Sequence, residues 1–142
     1  MLRCKKTLNI VQSGGILCSC QFDKFRFMGE NMKAEKCIKE SFVVIGKEGS
    51  TLDGEGFIQR LWMDANSHFG EVQHLAKKDE NGNIVGIWGA MSDFSHSFYP
   101  WEEFRKGLYL AGVECRDDAE APSGWTKWMI PGYEYIYVEC GD

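Results

Sequence analysis

The spacing of apolar residues changes along the chain, and each change marks an element. Phe42, Val43, Val44 and Ile45 follow one another without a polar break, which predicts a buried strand over Ser41–Gly46. Gly49, Gly54 and Gly56 then mark a loop over Lys47–Gly56, with Thr51 or Asp53 available as a helix N-cap. From Phe57 the period becomes helical. Phe57, Leu61, Ala65, Phe69, Val72 and Ala76 recur at three and four residues, with Ile58 and Trp62 widening the stripe. Gln59, Arg60, Asp64, Asn66, Ser67 and Glu71 fill the opposite face, so the pattern predicts an amphipathic helix from about Phe57 to Ala76, covering one face of a sheet.

Lys77–Asn83 is a polar turn containing Asn81-Gly82. A second strand follows over Ile84–Met91, in which Gly86 and Gly89 let another backbone or a ligand approach closely. Ser92–Lys106 reads as a long aromatic loop, Gly107–Cys115 as a third strand, and Arg116–Gly124 as an acidic loop. The fourth strand spans Thr126–Glu139 with a bend at Pro131-Gly132; in it Tyr133, Tyr135 and Tyr137 share one face. The order is β-α-β-β followed by a strand, with strands two, three and four able to pair antiparallel. That is an α+β fold, an antiparallel sheet with a helix on one face.

Residues 1–31 show no sustained period, and the text changes at Met32. Our expectation is a physiological start at Met32, with 1–31 a non-native or disordered extension and 32–142 the domain proper.

Charge narrows the function. The formal net charge is -5 with no Lys/Arg stripe or helix-turn-helix pattern to offset it, which argues against direct nucleic-acid binding. No apolar run approaches membrane-spanning length, and Gln12, Ser13, Gly14 and Gly15 interrupt the one N-terminal stretch that resembles a secretory core, so a cytoplasmic protein is expected. The six cysteines form no C-x-x-C pair and the three histidines lack zinc-ligand spacing, so neither metal nor cofactor is expected. Signatures of nucleotide binding and of hydrolytic triads are absent from the sequence.

The residue with most chemistry is Glu114, a carboxylate embedded in the apolar strand Tyr109–Cys115. Burying it is costly unless it is partnered. Among aromatic rings it would suit an amine or a cationic aromatic compound. The alternative is a solvated carboxylate at the strand's end. Trp88, flanked by Gly86 and Gly89, is the most pocket-like tryptophan. Tyr99 and the ladder Tyr133, Tyr135 and Tyr137 offer further candidate wall residues, although alternating tyrosines also simply pack across a pleated sheet.

Several segments together resemble a known family. Phe42-Val43-Val44-Ile45-Gly46, Leu61-Trp62, Ile87-Trp88-Gly89, Tyr109-Leu110-Ala111-Gly112-Val113-Glu114, Gly124-Trp125 and Ile130-Pro131-Gly132-Tyr133 stand in the order of the GyrI-like, or AraC-type, effector-binding domain. The resemblance implies two β-α-β-β modules with a ligand cleft between them, lined by an acid and aromatic rings. Glu114 matches the acid, with Trp88, Tyr109 and Tyr133 as walls. The sequence departs from the family by ending at residue 142, after the first strand of the second module. The expectation is then a C-terminally truncated, marginally stable chain or a homodimer formed through an exposed sheet edge.

Three functions follow as hypotheses. One is a stand-alone binder of a small organic effector, cationic or aromatic, regulating transcription through a partner. Another is a hydrolase of strained cyclopropane-type compounds in which Glu114 activates water and a tyrosine donates a proton. The third is an inactive remnant.

Overall fold

The structure is a computed structural model that describes residues 7–12, 15–18, 34–99, 101 and 106–140, with side chains over 38–99, 101 and 106–132. The described residues include eight strands: β1 Thr7–Gln12, β2 Gly15–Cys18, β3 Ala34–Lys39, β4 Phe42–Ser50, β5 Ile87–Ser92, β6 Leu108–Cys115, β7 Thr126–Ile130 and β8 Tyr133–Cys140. One α-helix, α1, spans Phe57–Ser67. All strand pairs are antiparallel, in the order β3-β8-β1-β2-β5-β6-β4-β7. The fold is α+β, with α1 lying over β4 and β6. No helix among the described residues is long and apolar enough to cross a membrane.

Two chain segments form the frame. β3 and β4 are separated only by Glu40-Ser41, and β7 and β8 only by Pro131-Gly132. They run side by side as one bent ribbon, with Lys39 opposite Tyr133 on one side of the bend and Phe42 opposite Ile130 on the other. The fourth strand expected from sequence is therefore two strands, placed far apart in the sheet order. Proline removes a backbone donor, so the ladder breaks at Pro131. Its first half pairs with β4 rather than with β6, because β4 already stands between them. β7 has a partner on one side only, and its five residues include Lys127 and run into Pro131, features that blunt an edge. Within the stretch read from sequence as an extension, β1 and β2 pair as a hairpin between β8 and β5.

The helix is shorter than its apolar stripe. It ends at Ser67, and two 3-10 turns, Phe69–Glu71 and Gln73–Leu75, complete the segment. Asn66, Ser67 and Gly70 are weak helix formers, and Ser67 and His68 bond back to the carbonyls of Met63 and Asp64. The turns still direct Val72 and Ala76 into the core, which is why the period continues past the helix. The helix starts at Phe57 as expected, but its cap is not Thr51 or Asp53. Ser50 and Asp53 form a capping box around the short turn Thr51–Asp53, whereas α1 begins at Gly56 in the left-handed region without a side-chain cap. Arg60 compensates in part by donating to the carbonyls of Glu55 and Asp53.

The sheet has a core on each face. Val43, Ile45, Tyr109, Ala111, Val113 and Cys115 point toward α1 and meet Trp62, Ala65 and Val72. Phe42, Val44, Trp88, Ala90, Leu108, Leu110, Trp128 and Ile130 form the opposite face. Strand alternation assigns every residue of β6 to one side or the other. Cys115 sits on the helix side, where burial pushes its thiol pKa up, so it behaves as an inert core residue.

β4 and β6 lie close together where Gly46 faces Gly112. A Cβ on Gly112 would overlap the carbonyl of Ile45, and one on Gly46 the carbonyl of Ala111. Backbone cannot yield as a side-chain tip can. Gly112→Ala is therefore expected to lower stability by about 1–3 kcal/mol, the usual cost of overpacking a filled core. Urea titration followed by tryptophan fluorescence measures it; an unchanged midpoint would contradict the close approach.

Candidate functional site

The last turn of β6 places Glu114 on the face away from α1, with Leu108, Leu110 and Gly112. Its backbone is fixed first. The Glu114 N–H donates to Gly86, and its carbonyl accepts from Lys77, each at 2.9 Å. Lys77 in turn accepts from Val85, so the polar turn over 77–86 clasps the strand end. Within that turn the Asp79 carboxylate accepts from the backbone N–H groups of Asn81 and Asn83, which lowers its pKa.

Glu114 is 1% exposed. Its Oε2 accepts from the indole of Trp88 at 3.1 Å, and its Oε1 takes the Lys39 ammonium at 3.2 Å. Lys77 Nζ stands 3.8 Å from the same oxygen. The carboxylate is thus both buried and partnered, the condition under which a buried charge is tolerated. Among the described residues, no buried side-chain polar atom lacks a partner.

Rings complete the environment. Phe42 and Trp88 lie with centroids 5.0 Å apart, tilted by 43°. Lys39 Nζ sits 4.4 Å from the Phe42 ring centre and 5.8 Å from that of Trp88, both within cation–π range. One ammonium is therefore held by a carboxylate and two aromatic faces. Gly86 makes this possible: a Cβ there would overlap Trp88 Nε1 and stand 3.0 Å from Glu114 Oε2. The space beside Trp88 that the glycines leave is filled by the Trp88–Glu114 hydrogen bond.

The expected site residues divide. Glu114 and Trp88 come together. Tyr109 does not join them: it is fully buried on the helix face, where its hydroxyl accepts from Trp62 Nε1 at 3.1 Å and Phe57 meets its ring edge-on. Residues 109 and 114 are an odd number apart in one strand, which puts them on opposite faces. Tyr99 is 68% exposed and is held through its backbone N–H, which donates to Asp93. Tyr133 stands opposite Lys39 in the β3–β8 register; its side chain lies outside the described residues. The sequence reading missed Lys39 and Phe42 as site members. Phe42 was counted as core, and Lys39 lies in the polar stretch before the first recognised strand. The only signal was its place just before the bend.

A second cluster borders the same face. Glu48 Oε2 accepts from Trp128 Nε1 at 2.6 Å and pairs with His96 Nε2 at 3.1 Å, while His96 and Phe98 meet Trp128 edge-on. His96 and Phe98 both adopt positive φ, 58° and 60°, which is costly for non-glycine residues. Asp93 holds this loop in place. It accepts from the N–H groups of Ser95, Ser97 and Tyr99 and from the hydroxyls of Ser92 and Ser95. An open hollow of about 460 Å³ lies elsewhere, between Thr51, Gly54, Phe57, Ile58 and Trp101, with no part of the Glu114 cluster in its lining.

Two expectations follow. Trp88→Phe removes the indole donor from a buried carboxylate and should cost about 1.5–3 kcal/mol, the range for hydrogen bonds to charged groups; equilibrium unfolding reads it, and a cost below about 0.5 kcal/mol would contradict the bond. For Asp93, burial works to raise the pKa, but the bonds from Ser95, Tyr99 and Ser92 outweigh it and hold the value at about 2. A depressed carboxylate stabilises the folded loop above its unfolded pKa and ceases to do so as pH falls through the folded value. Amide exchange at Ser97 and Tyr99 should therefore stay slow down to about pH 4 and accelerate between about pH 4 and pH 2. Asp93→Asn should abolish that acid step.

No model of a known protein family matches the chain, and no curated protein matches it.

Proposed function

We propose that the chain is a small-molecule-binding module for organic cations bearing an aromatic or bulky apolar group, with Glu114 as the charge partner and Trp88 and Phe42 as the walls. The observation that carries this reading is the Lys39 ammonium, held at 3.2 Å by Glu114 and stacked on Phe42 and Trp88. Carboxylate plus ring faces is the chemistry by which proteins recognise quaternary and aromatic ammonium compounds. The Lys39 contacts support this reading, since the same groups already surround an ammonium of the protein itself. The resemblance to GyrI-like effector-binding domains agrees with this reading and extends it to an effector sensor that acts on transcription through a partner protein.

The test is a tryptophan-fluorescence titration with benzyltrimethylammonium and with neopentylbenzene, its uncharged isostere. Saturable quenching by the cation is expected, with the isostere at least about tenfold weaker, as loss of a desolvated charge partner implies. Phe42→Leu, which stays apolar and removes the ring, should weaken the cation by about threefold or more. Equal binding of cation and isostere would overturn the proposal.

A further inference from the structure

We infer that Lys39 is a built-in competitor for the Glu114 site and sets its specificity, admitting cations that carry an aromatic group and excluding simple alkylammonium ions. The inference rests on the ammonium-binding reading above and adds to it the residue that decides which cations enter.

Accessibility is the first argument. Glu114, Phe42 and Trp88 are 1%, 3% and 4% exposed, whereas the Lys39 and Lys77 side chains are 28% and 51% exposed. A cation arriving from solvent meets the lysines before it meets the carboxylate. Lys39 holds the position that such a cation needs, since its ammonium contacts Oε1 and both rings. Lys77 touches the same oxygen from farther away and is half exposed, so it contributes charge without filling the space.

Tethering is the second argument. Lys39 is the last residue of β3, anchored by its pairing with Tyr133 at the bend of the ribbon. A group attached by a short flexible tether competes at an effective concentration on the order of millimolar or above. Methylammonium offers the same head group and no further contact, so it gains nothing over Lys39 and must exceed that concentration. A ligand with a ring replaces the lysine stem and adds area against Phe42 and Trp88. Lys39 can be displaced at low cost, because its side chain is already 28% exposed and its flexible stem can carry the head into water. Affinity is then reduced by the fraction of time that Lys39 occupies the site, as for any binding-competent state that is only partly populated.

The test uses the full chain and two probes, benzyltrimethylammonium and methylammonium, titrated by fluorescence against the wild type, Lys39→Ala and Lys77→Ala. Lys39→Ala is expected to tighten benzyltrimethylammonium by about tenfold or more and to bring methylammonium into a measurable range, because the competing population is removed. Lys77→Ala removes a charge and leaves the competitor in place, so it should change affinity by less than about threefold, as expected of a half-exposed, screened charge. The wild type supplies an independent readout that needs no variant to fold. Acetylation of Lys39 by an N-hydroxysuccinimide ester, followed by peptide mass spectrometry, should run at least about threefold faster when saturating benzyltrimethylammonium drives the lysine into solvent. Wild-type binding with no gain in Lys39→Ala, an equal gain in Lys77→Ala, or slower acetylation with ligand would overturn the competitor role and leave the ammonium site standing. Absence of binding in all three proteins would overturn the site itself, and the competitor with it.

Discussion

A single buried carboxylate organises one face of this protein. Glu114 lies in the most completely buried strand of the structure described, and its negative charge has to be answered from inside the fold. Water does not supply the answer at 1% exposure. An indole N–H and an ammonium do, and a second ammonium stands near. Breaking such a pair by removing one partner is far more costly than leaving it intact, on the order of 3–5 kcal/mol when both groups are deeply buried. Lys39 and Lys77 keep contact with solvent, so the cost here falls mainly on the carboxylate side.

The backbone delivers these groups from distant parts of the chain. Trp88 arrives on β5, one strand away from Glu114 on β6. Phe42 and Lys39 arrive on the two sides of the bend at Glu40-Ser41, which matches the bend at Pro131-Gly132 in the strand beside it. A straight β3–β4 strand would place Lys39 and Phe42 on opposite faces, since they are three residues apart. The two-residue break changes that phase, and the two side chains converge on one ammonium. The bend is thus a condition of the site as well as a feature of the fold. The glycines act in the same sense at shorter range. Gly86 leaves room for the Trp88–Glu114 bond, and the Gly46–Gly112 pair lets β4 and β6 close on each other beneath it.

What the sequence disclosed and what it withheld divide along physical lines. Local periodicity disclosed β4, β5, β6 and the start of α1, because an apolar stripe or run reports directly on burial, but it carried the helix on to Ala76 where α1 ends at Ser67. It also singled out Glu114, since a carboxylate in an apolar strand is anomalous whatever the fold. Three things were not local. The pairing of β7 with β4 instead of β6 depends on which strand edge is vacant, and sequence order does not encode that. The split of the last strand was visible as Pro131-Gly132 but read as a bend within one element. Lys39 looked like any solvated lysine, because its partner is 75 residues away. The placement of Tyr109 was available: its distance of five residues from Glu114 in one strand puts it on the helix face, and the alternation rule outranks the resemblance that made it attractive. Asp93 left a fainter trace, an acid followed by three alternating residues, Ser95, Ser97 and Tyr99, whose N–H groups it gathers.

The same constraint separates a binding role from a purely structural one. If the Glu114 pair served stability alone, an apolar residue of similar volume would serve as well or better, since replacing a buried ion pair by hydrophobic packing is often neutral or favourable. Such a replacement would also spare β6 a charge at the end of an otherwise apolar face made by Leu108, Leu110, Trp88, Ala90 and Trp128. Retaining the carboxylate, with a part-exposed lysine rather than a fully buried one against it, fits the proposed reading, in which a ligand replaces that partner. A fixed pair would call for an arginine, whose planar fork binds a carboxylate at two points and stays. A lysine offers a single rotatable point charge on a flexible stem, strongly hydrated once released. On the proposed reading, a lysine at position 39 suits an occupant that can leave.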